Sequence, residues 1–259
     1  MSFRRIWAVV LRYQYAWRDP SRIGEFIIWP MIDMGFLGLL ATWFGALSSN
    51  SHILTYFISA LILWQLIYRA NFEICFNILD EFWEQNLINF IASPLRPSEW
   101  VLAAMMSGML KIIFTLFFGA FAGWLFFQVN IFSLGWILPM FVVLCLLSGW
   151  IVGFFGAAVI IYKGSKFPQI PWVLITLMAL FSSIYYPVKI LPGWMQVVSQ
   201  SLPMTYVFAG LRDWITTGTV TNVYFIYSFI LSFFYLALGI FVFLYMFEKS
   251  RVRGFSRLY

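Results

Sequence analysis

The sequence predicts an all-α membrane protein with six transmembrane helices, an N-terminal amphipathic interfacial helix, and an extracellular re-entrant helix pair before the last span. Three observations predict it. Of 259 residues, 63% are hydrophobic and only 10% are charged, whereas soluble domains carry about 25% charged residues. So little polar surface cannot cover a water-facing globule. The apolar residues come in long runs rather than in alternation, which selects helices, one of the two backbone forms a bilayer tolerates. Finally, lysine and arginine gather between alternate runs, as they do in chains that cross a membrane with a fixed sidedness.

Residues 1–22 hold the interfacial element. At about 100° per residue, Phe3, Ile6, Trp7, Val10, Tyr13 and Trp17 share one helix face, and Arg4, Arg5, Arg12 and Arg18 occupy the other. Such a helix lies in the membrane interface with its arginines toward lipid phosphates. It serves either as an anchor that sets topology or also as a contact for a cytoplasmic partner. Arg12, Arg18 and Arg22 interrupt the place where a signal-peptide core belongs, so a cleavable leader is not expected. Proline in "RDP" (18–20) ends the helix.

Crossing ~30 Å of hydrocarbon takes about 20 apolar residues, which places spans at 26–47, 53–78, 101–127, 135–161, 169–186 and 222–247. With the N-terminus inside, 12 of the 16 basic residues are cytoplasmic: Arg4, Arg5, Arg12, Arg18, Arg22, Arg96, Lys163, Lys166, Lys249, Arg251, Arg253 and Arg257. Only Lys189 and Arg212 fall outside, so both termini are expected in the cytoplasm, and the net charge of +6 reads as topology rather than nucleic-acid binding. The expected location is the bacterial inner (plasma) membrane.

Between the second and third spans runs "LDEFWEQNLINFIASPLRPSEW" (79–100). Asp80, Glu81 and Glu84 lie within one helical turn and present a negative patch beneath the membrane. An amphipathic helix resting on lipid normally carries cations, so an acidic one suits a protein partner. Within the spans stand Asp33, Arg69, Glu73 and Lys111, all expected in the cytoplasmic half. Arg69 and Glu73, four apart, can pair along one helix, and Asp33 can pair with Lys111 between helices. These charges either hold the helices together or line a polar route for a charged headgroup. "GAFAG" (Gly119, Gly123) and "GWIVG" (Gly149, Gly153) carry the spacing that lets helices approach closely.

After the fifth span the chain reads "YYPVKILPGW" (185–194) and stays apolar through three prolines, Pro187, Pro192 and Pro203. Irregular backbone at membrane depth persists only where protein or water satisfies it. Pro187 is therefore expected to end a helix, "LPGWMQVVSQ" to form a short one, Pro203 to turn the chain, and "MTYVFAGLRDWI" to form another. The product is a pair of helices over residues 187–221 that dips in from outside as a lid.

Other chemistry is thin. Cys75 and Cys145 fall inside apolar runs and read as buried thiols. His52, the single histidine, cannot build a metal site, and no cluster of histidine, serine and carboxylates supplies a catalytic centre. No phosphate-binding G-x-x-x-x-G-K-[ST] loop occurs.

The order of these elements resembles the membrane subunits of the type-2 family of ABC exporters. One motif that carries the likeness is "YYPVKILPGWMQVVSQSLPMTYVFAGLRD", with Pro187, Leu191, Pro192, Trp194, Pro203, Tyr206 and Arg212 at that family's positions. The other is "EFWEQNLINFIASPLRPSEWVLA", similar to its coupling segment, where Gln85 and Asn86 replace a Gly-Thr-like pair. The resemblance implies a non-catalytic permease subunit that pairs with a second copy of itself or a related permease. A separate ATP-binding subunit, holding ATP and Mg, would dock on Asp80, Glu81, Glu84, Gln85 and Asn86, with the N-terminal helix and Lys163 to Lys166 nearby. The substrate class it implies is an amphipathic or hydrophobic molecule: a lipid, glycolipid, polysaccharide or drug. A channel or scramblase working without ATP is the competing reading.

Overall fold

The computed structural model describes residues 1–15, 20–48, 51–86, 89, 93–164 and 166–253. Among these residues every regular element is helical. The helices are α1 (Phe3–Tyr15), α2 (Pro20–Ser48), α3 (Ser51–Trp83), α4 (Pro97–Phe127), α5 (Leu138–Lys163), α6 (Ile170–Phe181), α7 (Gly193–Gln200), α8 (Pro203–Thr217) and α9 (Asn222–Arg253). Trp17, Arg18 and Arg257, and positions 87, 88 and 90–92 of the acidic loop, lie outside the described residues.

Four stretches, His52–Trp83, Pro97–Phe127, Ile131–Lys163 and Asn222–Val252, are long and apolar enough to cross a membrane, which fits a multi-pass membrane protein. Two apolar stretches are shorter: Pro30–Ala46, which is part of the longer helix α2, and Ile170–Phe181, which is the whole of α6. The latter revises the expected span 169–186: its 12 residues rise only about 18 Å. The helix stops at Phe181 rather than at Pro187 because Ser183 takes φ +62°, a left-handed conformation no helix can continue through. Pro187 instead opens a 3-10 turn, Val188–Ile190.

The central post is α3, with α4 and α5 packed on it and α9 against α5. Ile58 to Phe82 contributes an almost unbroken series of buried residues, so α3 touches protein on most of its circumference. Close approach needs small residues at the crossings, and the glycines provide them. A methyl group at Gly149 would lie 2.5 Å from both Ala70 Cβ and the Ile67 carbonyl oxygen, and one at Gly153 would lie 2.9 Å from Ile74 Cβ. Gly119 and Gly123 play the same part against Ile62 and Ile58 where α4 meets α3. Outward faces, such as Phe117, Phe121 and Trp124 on α4 or Ile230, Phe233 and Phe241 on α9, carry large exposed apolar side chains, as a lipid-facing surface requires.

The molecule has two distinct ends. A basal end gathers α1, the C-terminus of α3, the N-terminus of α4 and the C-terminal half of α9; an apical end gathers α7, α8 and the N-terminus of α9. The corner between α7 and α8 is tied to α9, whose Ser228 hydroxyl donates to the Pro203 carbonyl at 3.0 Å. Ser228 lies roughly 9 Å along α9 from its start, so this corner is set below the apical rim.

Candidate functional site

The basal end is held by a clasp of charged residues. Glu99 stands in the first turn of α4, where free backbone N–H groups favour a carboxylate, and accepts from the Arg96 amide at 3.0 Å. Its other oxygen accepts from the Ser2 amide at 2.8 Å and from Arg5 Nη2 at 2.7 Å, while Arg5 Nη1 donates to the Pro94 carbonyl at 2.9 Å. About two turns further along α1, Arg12 Nη2 donates to Glu81 Oε2 at 2.9 Å and to Glu84 Oε2 at 3.1 Å. Arg5 and Arg12 of α1 thus bind the acidic loop and the helix ends on either side of it, and its Ile6–Val10–Tyr13 stripe is buried on the body of the protein, with Ala103 and Met106 of α4 beside Ile6 and Val10. Phe3, Trp7 and Leu11 stay exposed. The expected lipid-facing side is therefore divided between protein and surroundings.

The Arg96 amide first, then the Ser2 amide and Arg5, hold the Glu99 carboxyl down to about 2, against the opposing effect of burial. The sign follows: a depressed carboxyl contributes stability above its unfolded value and loses it as pH falls through the folded one. Protection of the α1 amides from hydrogen exchange should stay level from pH 7 to about 4.5 and decline below. In Glu99→Gln it should be lower at pH 7 and decline less, so that the two proteins converge at the acid end.

The expected negative patch is split in the structure. Glu81 is 1% exposed and Glu84 61%, with Asp80 between these extremes. Glu81 also accepts from Tyr13 Oη at 3.3 Å and from Asn86 Nδ2 at 2.7 Å. Gln85 closes α3 in the left-handed conformation, φ 54°, with its amide on the Phe82 carbonyl and the Asn86 amide on the Glu81 carbonyl. This is the helix stop that glycine usually occupies, so a side chain sits at Gln85 where glycine is conformationally easier. Gln85→Gly should raise the thermal midpoint, with a gain of about 1 kcal/mol. A groove of about 320 Å³ opens between α1 and this loop, lined by Arg5, Arg12, Asn86, Asn89, Ser93 and Pro94.

Two lines of contact lead from the clasp into the helices. In one, Trp100 Nε1 donates to Tyr13 Oη at 2.6 Å, and the Trp100 ring stacks on Phe243 of α9 with centroids 5.0 Å apart. Burial first, then Glu81, pushes the Tyr13 phenol well up, so it remains a donor. In the other, Gln14 Nε2 donates to Ser107 Oγ at 3.2 Å, and Ser107 donates to Glu73 Oε1 at 2.8 Å. Glu73 also accepts from Asn77 at 3.3 Å and meets Lys111 Nζ at 2.5 and 2.6 Å. The carboxylate that meets Lys111 is thus Glu73 of α3, while Asp33 of α2 accepts from Gln65 Nε2 at 3.0 Å. Arg69 is half-buried on the same helix.

At the apical end, Arg212 of α8 lies over the Tyr56 ring, 4.5 Å from its centroid, and donates to Tyr56 Oη at 2.7 Å and to the Ser183 carbonyl at 3.0 Å. Tyr56 Oη donates in turn to the Ile184 carbonyl at 2.8 Å. The end of α6 is thereby fastened to α3 and α8. A pocket of about 410 Å³ adjoins this contact, walled by Phe44, Tyr56, Phe57, Tyr185 and Arg212. Pro187, Pro192 and Pro203 each stand at a helix start, as N-cap, N-cap and first residue. Leu191 is buried. Trp194 is 66% exposed and meets Phe181 edge-on. Tyr206 donates to the Gln200 carbonyl at 2.8 Å and stacks on Tyr227. The expected lid residues therefore assemble around α7 and α8, together with Tyr56 and Ser183, which sequence patterning alone does not single out.

Compared with known proteins, the chain matches no family model and no curated protein.

Proposed function

We propose that this chain is the membrane-spanning subunit of an ATP-driven exporter of the type-2 ABC kind, a six-span permease working with a second copy of itself and a separate ATP-binding subunit. The observation that carries the proposal is the basal clasp. A surface groove made by α1 and the acidic loop is mechanically continuous, through Tyr13–Trp100–Phe243 and through Gln14–Ser107–Glu73–Lys111, with the helices that would have to move. A partner pressing on that groove biases a packed, bistable bundle rather than a free loop.

In this reading the basal end is cytoplasmic. Docking uses Glu84, Gln85 and Asn89, which are exposed, while Glu81 positions Arg12 and Tyr13 behind them. α2 and α6 complete the six spans, with α6 shortened and its apical end finished by the Ser182–Tyr186 turn. The set-down corner at Pro203 supports a re-entrant pair, with α7 and α8 covering an exit path. The apical pocket supports a substrate with both halves of an amphiphile: four aromatic walls suit a sugar ring or an acyl segment, and Arg212 suits an anionic group.

The proposal is tested by installing Asn89→Cys in a chain otherwise lacking cysteine and cross-linking in native membranes. The expected result is one dominant adduct containing an ATP-binding protein. Adducts with lipid or detergent alone, from membranes in which the chain is folded, contradict the docking surface. Sidedness is tested at Gly193, whose surroundings within 4 Å are open: Gly193→Cys should react with an impermeant maleimide in intact cells, and reaction only in inverted vesicles reverses the orientation.

A further inference from the structure

A further cavity lies apart from both sites described above. It is a groove of about 530 Å³ over α5, between α6 and α9, with Ile151, Phe155, Val159, Met178, Tyr235 and Met246 among its walls. It exists because α6 is short and packs on α5, α3 and α7, leaving a gap on its α9 side. Met204 and Pro203 stand at one end, Tyr162 and Lys163 at the other.

Two features fix what can fill it. The first is length. From Ile151 to Lys163 the groove follows α5 for roughly 18 Å, close to one leaflet of a ~30 Å hydrocarbon core. The second is charge at the open end. Lys249 of α9 lies 5.4 Å from the centre of the Tyr162 ring and 5.6 Å from that of Tyr245, and Lys163 lies 5.9 Å from the Tyr162 ring centre. Two ammonium groups are thus gathered around one aromatic ring at the basal rim. The neighbouring carboxylate, Glu248, is bonded to Arg251 at 3.4 Å, and no ion pair holds Lys163 or Lys249 among the described residues. Lys166, exposed nearby, adds a third cation.

We propose that this groove is a resident-lipid site, holding one acyl chain of an anionic phospholipid in the basal leaflet with its phosphate bridging Lys163 and Lys249. The lipid wedges α6 away from α9 and completes the packing the short helix leaves open. The inference needs only that the helices sit in a bilayer; it stands whether or not the chain is an exporter, and whichever side the basal end faces.

The test is native mass spectrometry of the detergent-purified chain titrated with dioleoyl phosphatidylglycerol or dioleoyl phosphatidylcholine. Each cation beside an anionic headgroup adds several-fold to binding, so the pair should give a preference for phosphatidylglycerol on the order of 20-fold. Replacing both lysines (Lys163→Gln with Lys249→Gln) should reduce the preference to about 2-fold or less while leaving phosphatidylcholine binding unchanged. Val159→Trp, which fills the groove from a partly exposed position, should abolish tight binding of either lipid, with the thermal midpoint in detergent retained as the check on folding. Equal binding of the two lipids by the wild type, or a preference that persists in the double variant, overturns the proposal.

Discussion

Lys111→Met is expected to destabilise the protein by about 3–5 kcal/mol, the usual penalty for stranding one member of a buried ion pair. Glu73 and Lys111 are each 6% exposed, and the bilayer around them offers no water to a lone carboxylate. Ser107 and Asn77 donate to the same carboxylate oxygen, so the group cannot simply be made apolar. The informative companion is therefore Glu73→Gln with Lys111→Met, which removes both charges and keeps an oxygen for those two donors. The double variant should recover to within about 1.5 kcal/mol of the wild type. Denaturant unfolding in detergent, followed by far-ultraviolet circular dichroism, measures both. A single variant as stable as the wild type shows that water or lipid headgroups reach the pair, which then lines a route through the membrane instead of bracing α3 on α4.

A second large effect belongs to Gly149. Any side chain there enters the α3 backbone, because the Ile67 carbonyl oxygen stands 2.5 Å from the position of a Cβ. Backbone cannot rotate aside as a side chain can, so the helices must separate and lose contact along the whole crossing. Gly149→Leu should cost well over 3 kcal/mol and leave little monodisperse protein in size-exclusion chromatography. Gly35→Ala, inside α2 at a position with nothing within 4 Å, serves as the control and should leave stability unchanged or raise it by up to about 1 kcal/mol. Equal behaviour of the two variants would mean that α3 and α5 do not cross at this register.

These two sites also show how much was legible beforehand. The "GWIVG" spacing pointed to a close crossing, because small residues four apart form a continuous flat strip whichever helix they meet. Helix existence was equally readable, since long apolar runs leave the backbone few alternatives in a bilayer. The α7–α8 pair followed from its prolines, which fix helix starts. The end of α6 was not readable: Ser183 adopts positive φ because Arg212 and its surroundings hold the turn, and serine carries no local signal for that. Partner choice among the charges was hidden for a similar reason. Residues 73 and 111 meet only through the relative register of α3 and α4, so spacing along one helix favoured the nearer Arg69. The acidic loop was recognisable as a place where charges meet a partner, but its first partner is α1 of the same chain. Glu99 carries no signal in the sequence because one carboxylate in a helix's first turn is ordinary; only the tertiary approach of Arg5 and the Ser2 amide makes it a fastening point.

That internal pairing sharpens how the basal surface is to be probed. Glu81→Lys breaks the clasp itself and disturbs the fold, whereas Glu84→Lys changes an exposed charge that already shares Arg12 with Glu81. The second substitution is the one expected to weaken docking while leaving the helices in place.

We infer that a separate ATP-binding subunit drives this chain, and what accompanies the chain out of the membrane measures this most directly. The chain, tagged at its C-terminus and purified gently from its own host, should bring with it an ATP-binding protein at equal copy number. That complex should hydrolyse ATP, and hydrolysis should fall when Glu84 is changed to lysine. Isolation of the chain alone, under conditions that keep other transporter complexes whole, together with ATP-independent flux in vesicles made from it, would contradict the claim and make the protein a passive pathway.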